Sequence, residues 1–299
     1  MRHRRGIFVE VLVLLLAMSG CKLLGPKEEK PKVEPEASRA KAEEARQVLS
    51  EGLGQGIQAE APGDLRKLDV SEAHDLYREA AELDPSNSEA HFGLAVTEIL
   101  MILQNDRVQE ALDSLSFYLG EEGACKPALG LVPNAHRIAR SPLMVYGMAR
   151  RLWPSARRGA AKPALLRVSD LQEVVEQEVI PALDRALEHL EKVEEDEVFR
   201  FYITPEMFGE EEGDSLELDL GEVYVLDAQV RLFRAWLLIA TAYNLDFDDE
   251  GSYAFLRAES DSVLLAHLHR LDQSPTFLTL RSGDKLPKAK EDILSLIHI

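Results

Sequence analysis

Residues 71–100, SEAHDLYREAAELDPSNSEAHFGLAVTEIL, constrain the fold more than any other stretch of this 299-residue chain. The first half has helical apolar spacing, and Asp84-Pro85 ends it, because proline lacks an amide hydrogen and disfavours a helical residue before it. The apolar pattern returns from about Ser88, so the stretch predicts two antiparallel helices joined by Asp-Pro-Ser-Asn, with Ser71 capping the first. The expected inward side chains are Ala73, Leu76, Tyr77, Ala80 and Leu83, then Ala90, Leu94, Ala95 and Ile99.

This stretch resembles the junction between two successive tetratricopeptide repeats (TPRs). Small residues at Ala73 and Ala80 let helices approach closely, the aromatic Tyr77 fills the gap, and Leu83-Asp84-Pro85 ends the helix. The next helix matches at His91, Leu94 and Ala95. The resemblance implies an all-α fold of TPR-like antiparallel hairpins over residues 40–299, as an α-solenoid or a helical bundle.

The resemblance also implies a groove that holds a protein partner, with groove-facing positions at Glu89, Phe92, Val96 and Ile99. These side chains are mostly apolar, so an apolar helix or strand is the expected guest. One alternative stays open. The match covers only about thirty residues and a single repeat cannot bury its own face, so the same side chains would then face the chain's own helices.

The rest of the chain is also mostly helical in pattern. Helices are predicted over Ala40–Leu53, Arg107–Leu119, Pro142–Trp153, Ser169–Glu195, Ser252–Leu271 and Lys285–Leu296. Pro181 should divide or kink the long helix that contains it. Phe199–Thr204 and Leu216–Leu220 predict one short β-hairpin. Gly221–Leu245 is apolar on nearly all sides in its second half and is predicted to be the central buried helix.

The N-terminus has the order of a bacterial export signal. Three arginines precede an apolar run from Gly6 to Ala17, which is too short for a membrane-spanning helix. Ser19-Gly20-Cys21 then resembles the lipobox of bacterial lipoproteins, although Met18 stands where leucine is usual. The resemblance implies removal of residues 1–20, lipidation of Cys21 and, from the following Lys22, sorting to the outer membrane. An ordinary secretory signal with a chance cysteine is the alternative.

The charge of the chain restricts its partners. Removal of residues 1–20 takes away three arginines and one glutamate, which moves the formal net charge from −19 to −21. A polyanion repels nucleic acid and anionic head groups, so nucleic-acid binding is excluded and membrane contact should come from the lipid. Residues 21–39 alternate proline with charge and are predicted to be a flexible linker.

Several short motifs resemble enzymatic or metal-binding signatures, but each of them lacks a residue that the chemistry requires. Gly213-Asp214-Ser215-Leu216 spells the signature of a lipase and esterase family, but the Asp-x-x-His that this family requires is absent from the sequence. Asp246, Asp248, Glu250 and Gly251 fit the start of a calcium loop, yet Arg257 occupies the position of the final glutamate. Cys125 has no second thiol in the mature chain, so an idle thiol is expected. No catalytic residue, cofactor or metal is predicted.

The C-terminal residues 294–299, LSLIHI, resemble the translation of a sequencing adapter, and a natural apolar end is the alternative. We therefore expect a periplasmic lipoprotein that works as a protein-protein interaction or scaffold module in the cell envelope. A lipoprotein that holds a small apolar solute between its helices is the alternative function. An enzyme is the least favoured class.

Overall fold

The computed structural model describes residues 33–58, 69–119, 167–208, 213–246 and 275–298. This part of the chain is mostly helical and contains one small two-stranded sheet. Its elements are α1 (Pro35–Gln58), α2 (Ser71–Leu83), α3 (Ser88–Gln104), α4 (Asp106–Leu119), α5 (Val168–Val174), a π-helical turn (Val175–Val179), α6 (Ile180–Glu194), β1 (Phe201–Ile203), a 3-10 turn (Pro205–Phe208), β2 (Leu216–Leu218), α7 (Leu220–Ala242) and α8 (Lys285–Ser295). The predicted helices over Pro142–Trp153 and Ser252–Leu271 lie outside the described residues.

Helix α1 is longer than the sequence pattern predicts. It runs from Pro35 to Gln58 rather than from Ala40 to Leu53. Proline suits a first helical turn, whose amides have no partner in the helix. The helix continues past Leu53 through Gly54, which is closely packed: a β-carbon on Gly54 would lie 2.5 Å from the carbonyl oxygen of Glu206. The predicted end of this helix at Leu53 was therefore wrong.

The predicted hairpin of α2 and α3 is confirmed. The Asn87 side chain caps α3 by accepting a 3.1 Å hydrogen bond from the amide of Ala90. The start of α2 differs from the prediction, because Ser71 is its first helical residue and not its cap. The carboxylate of Asp69 accepts the hydrogen bond from the Ser71 amide at 2.9 Å instead.

Helices α5 and α6 form one almost continuous rod with a π-helical turn inside it. The amide of Ile180 donates to the carbonyl of Val175, five residues back, directly before Pro181. A π turn is one of the ways in which a helix accommodates an interruption of its ladder. The predicted division of Ser169–Glu195 at its proline takes this form.

The predicted β-hairpin is also confirmed. Strands β1 and β2 pair antiparallel, with Phe201 opposite Leu218 and Ile203 opposite Leu216. Alternating side chains of a strand point to opposite faces, and those of Phe201, Ile203 and Leu218 are buried. The hairpin therefore presents one apolar face to the helices.

Helix packing runs from α1 to α2, α3, α6, α7 and α8, each in contact with the next. One main hydrophobic core extends from α1 through α2, α3, α6 and the β-hairpin to the first half of α7. Its most deeply buried side chains include Tyr77, Leu190, Phe199 and Val223. A second, smaller cluster joins the second half of α7 to α8.

The prediction that Gly221–Leu245 is the central buried helix was wrong. Helix α7 exposes 63% of Trp236 and 53% of Phe233. The sequence pattern gave a wrong prediction of burial because α7 buries charged residues in ion pairs on its inner side, whereas its large apolar residues are exposed. A helix that is apolar on all sides is usually buried, but here the packing partners cover only one side.

Candidate functional site

The four predicted groove residues occupy the N-terminal three turns of α3. The Glu89 side chain is 29% exposed and lies 3.5 Å from the guanidinium of Arg46. Val96 and Ile99 are partly buried and pack against the main core. Phe92 is 4% exposed. Partner binding at these positions stays a prediction, and their surroundings show how much of each side chain a partner could reach.

The ring of Phe92 lies in an aromatic cluster with the β-hairpin. Its centroid is 5.3 Å from that of Phe199 and 4.8 Å from that of Phe201, and both pairs are tilted by 49°. Such tilted pairs add to the stabilisation that burial alone provides. Phe92 therefore takes its contacts from the chain itself, which agrees with the alternative interpretation of this position.

The α2–α3 hairpin depends on a close approach between Tyr77 and Gly93. A β-carbon on Gly93 would lie 2.3 Å from Cζ of the tyrosine ring, so only glycine leaves room for it. The Tyr77 hydroxyl is buried, and among the described residues it has no hydrogen-bond partner. Burial raises the pKa of this phenol. The ring acts here as a spacer between helices, as the TPR resemblance implies for its aromatic position.

A pair of histidines connects α3 to α6. Nδ1 of His91 lies 3.1 Å from Nδ1 of His189, and Nε2 of His91 lies 3.0 Å from the carbonyl oxygen of Pro85. A carbonyl only accepts, so Nε2 of His91 carries the proton and donates it. The neutral His91 ring must then accept at Nδ1, which makes His189 the donor. We assign these tautomers from the hydrogen-bond network.

Both rings are poor bases in this setting. Burial, followed by the proximity of His91, lowers the pKa of His189 to about 4. Burial also lowers the pKa of His91, although the hydrogen bond to the Pro85 carbonyl opposes that effect. The pair is therefore neutral at physiological pH.

A second buried polar group lies beside the pair. The guanidinium of Arg185 donates to both carboxylate oxygens of Glu98, at 2.8 Å each. The Thr97 hydroxyl donates to the carbonyl of Gly93 at 2.8 Å, so it accepts from Nδ1 of His74 at 3.0 Å. Every member has a partner, which favours a structural over a catalytic role. The sequence analysis missed this network, and polar residues at inward positions of α2 and α3 were the signal for it.

The outer surface of α7 is the main functional candidate that the sequence analysis missed. We call it the α7 stripe, and its side chains are 39% to 63% exposed: Val225, Leu232, Phe233, Trp236 and Ile239. At 100° per residue these positions fall on one side of the helix. A group of large exposed apolar side chains on one side of a helix commonly marks an interaction site.

The arginines of α7 lie on its inner side. Arg231 donates to Asp227 at 2.7 Å and to Glu191 at 2.9 Å. Arg234 pairs with Asp184 at 2.5 Å and with Asp292 of α8 at 2.8 Å. Both arginines are less than a fifth exposed. Both arginines of α7 are thus paired on its inner side, and they leave the stripe without a cation.

The candidate enzymatic and metal motifs lie only partly within the described residues. Ser215 is exposed and directly precedes β2. The Asp246 carboxylate accepts a 2.9 Å hydrogen bond from the amide of Ser169, and Asp248 and Glu250 lie outside the described residues. Within the described ranges, no three His, Cys, Asp or Glu side chains converge in a way that could hold a metal ion. Cys21 and Cys125 also lie outside these ranges.

Comparison with known proteins gives no relative: no family model, curated protein or solved structure matches the chain. None of the described helices combines the length and apolar character that a membrane span requires.

Proposed function

We propose that this chain is a lipid-anchored periplasmic lipoprotein whose helical body works as a TPR-like interaction or scaffold module in the cell envelope. The observation that carries the interaction role is the α7 stripe. It gives the module an apolar contact surface that the predicted α3 groove, with Phe92 buried, does not offer in the described structure.

The TPR-like architecture is supported by local packing. The Asp84–Asn87 turn reverses the chain between α2 and α3, and the Tyr77 ring contacts the α3 backbone at Gly93. Successive helices contact one another from α1 to α3 and onward through α6 to α8. Successive helix contacts of this kind build the extended surfaces on which solenoid proteins bind partners.

The stripe fits a partner with an apolar helix. From Val225 to Ile239 it covers fifteen residues, and the fourteen steps between them extend about 21 Å along the helix axis. Arg231 and Arg234 are held inward, so no cation of α7 interrupts the stripe. An envelope protein that presents an amphipathic helix of similar length would bury these side chains against its own apolar face.

Membrane attachment is the second part of the proposal. It rests on the order of the basic segment, the apolar run and Ser19-Gly20-Cys21. Several acyl chains on one cysteine would anchor the chain firmly, since each buried methylene contributes about 0.8 kcal/mol. The predicted linker 21–39 was too long, because α1 begins at Pro35 and Ser38 is buried against the carbonyl of Ala80. Residues 21–34 would hold the helical body away from an outer membrane that it reaches only through the lipid.

The anchor is tested by metabolic labelling with an alkyne-tagged palmitate. The parent chain and Cys125→Ala should be labelled and fractionate with membranes, whereas Cys21→Ala should lose both the label and the membrane association. Equal labelling of the Cys21→Ala variant would refute the lipobox.

The interaction role is tested by a photo-crosslinking residue at position 236 in living cells. The expected product is one stoichiometric envelope protein, lost when Phe233→Ser and Leu232→Ser are combined with the probe. A probe at exposed Glu72 on α2 is the control. A product made of two copies of this chain, or no product, would contradict the adaptor role.

The apolar-solute alternative gains no specific support from the described residues. The pocket found between α6 and α7 is lined mainly by charged side chains, which do not suit an apolar ligand.

A further inference from the structure

Helices α6 and α7, together with Ser295 and His298 at the C-terminal end, line an open pocket of about 550 Å³ with an unusual charge balance. Its walls carry the carboxylates of Glu191, Glu194 and Asp227, the guanidinium of Arg231 and the phenol of Tyr224. Three carboxylates against one guanidinium leave a formal excess of two negative charges. This pocket lies on the inner side of α7 and is separate from the α7 stripe.

Arg231 neutralises only part of this charge. It donates to Oδ2 of Asp227 and to Oε1 of Glu191, which leaves Glu194 and the second oxygen of Asp227. Within the described part of the chain, Glu194 Oε1 and Asp227 Oδ1 are buried atoms without a hydrogen-bond partner. The Asp227 side chain is 1% exposed.

Unsatisfied buried carboxylate oxygens are rare, because each loses its hydration without a replacement. Two kinds of partner could satisfy them here. A proton could stay on one carboxyl, and burial does raise the pKa of both Glu194 and Asp227. A ligand with a positive charge and N–H donors would instead satisfy both oxygens and offset the charge excess.

The geometry favours an organic cation over a metal ion. The described carboxylates do not converge as a set of metal ligands. A volume of about 550 Å³ also exceeds what one ion needs and falls in the range of pockets for small organic ligands. Ammonium and guanidinium groups supply several N–H donors each and form strong charge-assisted hydrogen bonds with carboxylates.

We propose that this pocket binds an ammonium or guanidinium group, with Glu194 and Asp227 as the accepting side chains and Arg231 holding Asp227 in place. The group belongs either to a free diamine or polyamine or to a lysine or arginine side chain of a partner protein. The accepting residues lie on α6 and α7, while Ser295 and His298, which belong to residues 294–299, form another part of the wall. The inference is independent of the lipid anchor and of the α7 stripe.

Calorimetric titration of the full purified chain tests the proposal. The probes are putrescine, spermidine, N-acetyl-lysine methylamide and N-acetyl-arginine methylamide, each at constant ionic strength. Tetramethylammonium has the charge but no N–H donor and serves as the reference. At least one N–H probe should bind ten times more tightly than tetramethylammonium. Tightest binding of a polyamine identifies a free ligand, and tightest binding of a blocked amino acid identifies a partner side chain.

Variants connect binding to the pocket. Glu194→Gln keeps the shape of the side chain, and among the described residues the change breaks no hydrogen bond to Glu194. The variant should therefore fold and bind the preferred probe at least tenfold more weakly. Glu197→Gln, an exposed position a few residues along the chain, is the matched control and should bind within twofold of the parent. Equal binding by Glu194→Gln, or no N–H probe that exceeds tetramethylammonium, would overturn the proposal and leave a retained proton as the partner of these oxygens.

Discussion

The guanidinium group of Arg185 on α6 holds the carboxylate of Glu98 on α3 through two parallel hydrogen bonds of 2.8 Å. The Glu98 side chain is 7% exposed, whereas that of Arg185 is 52% exposed. The carboxylate is therefore the member that depends on the pair, because it has little access to water.

Arg185→Ala should lower the free energy of unfolding by about 2 kcal/mol, since it leaves a buried carboxylate without its main donor. Half-exposure of the arginine keeps the loss below that of a fully buried pair. Urea unfolding at pH 7.5 measures the change. Arg78→Ala breaks an exposed pair with Asp75 and should cost less than about 0.5 kcal/mol. Equal losses in the two variants would contradict the assignment.

Gly93→Ala should destabilise the chain by about 2 kcal/mol or more, although alanine is the better helix former. A methyl group 2.3 Å from the Tyr77 ring forces the two helices apart, and this strain exceeds a helix-propensity gain of about 1 kcal/mol. Gly283→Ala, whose β-carbon would meet its nearest neighbour at 3.6 Å, is the control. Thermal unfolding followed by circular dichroism compares them, and a more stable Gly93→Ala variant would refute the close approach.

Tyr77→Phe should be neutral or slightly stabilising, because it removes a buried hydroxyl that has no partner in the described structure. The ring, and therefore the contact with Gly93, stays in place. Chemical denaturation measures the difference. A loss above about 1 kcal/mol would reveal a hydrogen bond of this hydroxyl.

Acid should lower the stability of the folded chain through protonation of His189. Its pKa is about 4 in the folded chain, against an ordinary value of 6.5, so the unfolded chain takes up a proton first as the pH falls. The neutral ring therefore contributes stability above about pH 6.5, and this contribution is lost progressively between pH 6.5 and 4. Between pH 7.5 and 5, the parent should lose about 2 kcal/mol more than His189→Asn, which keeps an N–H donor. His298→Asn, at an exposed position, should behave like the parent. Parallel pH profiles of the parent and His189→Asn would count against the neutral pair.

Phe92→Ala and Trp236→Ala should show that Phe92 belongs to the core and that Trp236 belongs to the surface. Phe92 is 4% exposed and packs on two other rings, so its truncation should cost about 3 to 4 kcal/mol. Trp236 is 63% exposed, so its truncation should change stability by less than about 1 kcal/mol while it weakens partner capture. Urea unfolding and the photo-crosslinking yield measure the two effects. A large stability loss in Trp236→Ala would show that the α7 stripe is internal.

The elements that could be predicted from the sequence are those with local signals. These signals are the proline that follows Leu83-Asp84, the alternation around Phe201 and the apolar spacing of α8. Each depends on neighbouring residues, and the structure confirms these elements. Helix α1 shows the limit of such signals. Its glycines indicate the end of a helix by propensity, but Gly54 lies inside the helix, closely packed against the carbonyl of Glu206, 152 positions along the chain.

The surface properties could not be predicted in this way. Burial of α7 was inferred from its composition, yet exposure depends on which helices pack against it. The sequence does not show which side of α7 Arg231 and Arg234 occupy, whereas their ion pairs with residues of α6 and α8 show which side faces inward. The acidic pocket could not be predicted either. Its carboxylates lie on two helices, and the charges of each helix look solvated when that helix is considered alone.

The π-helical turn at Val175–Val179 has a consequence for how this chain can vary. One extra residue rotates a helix by about 100°, so the faces before and after the turn are out of phase. The Gln172 amide, before the turn, donates to the carbonyls of Ala240 and Tyr243 at the end of α7, while Leu187 and Leu190, after it, enter the main core. Removal of a single residue here would turn one of these faces away from its neighbour. Related sequences should therefore conserve the length of this segment.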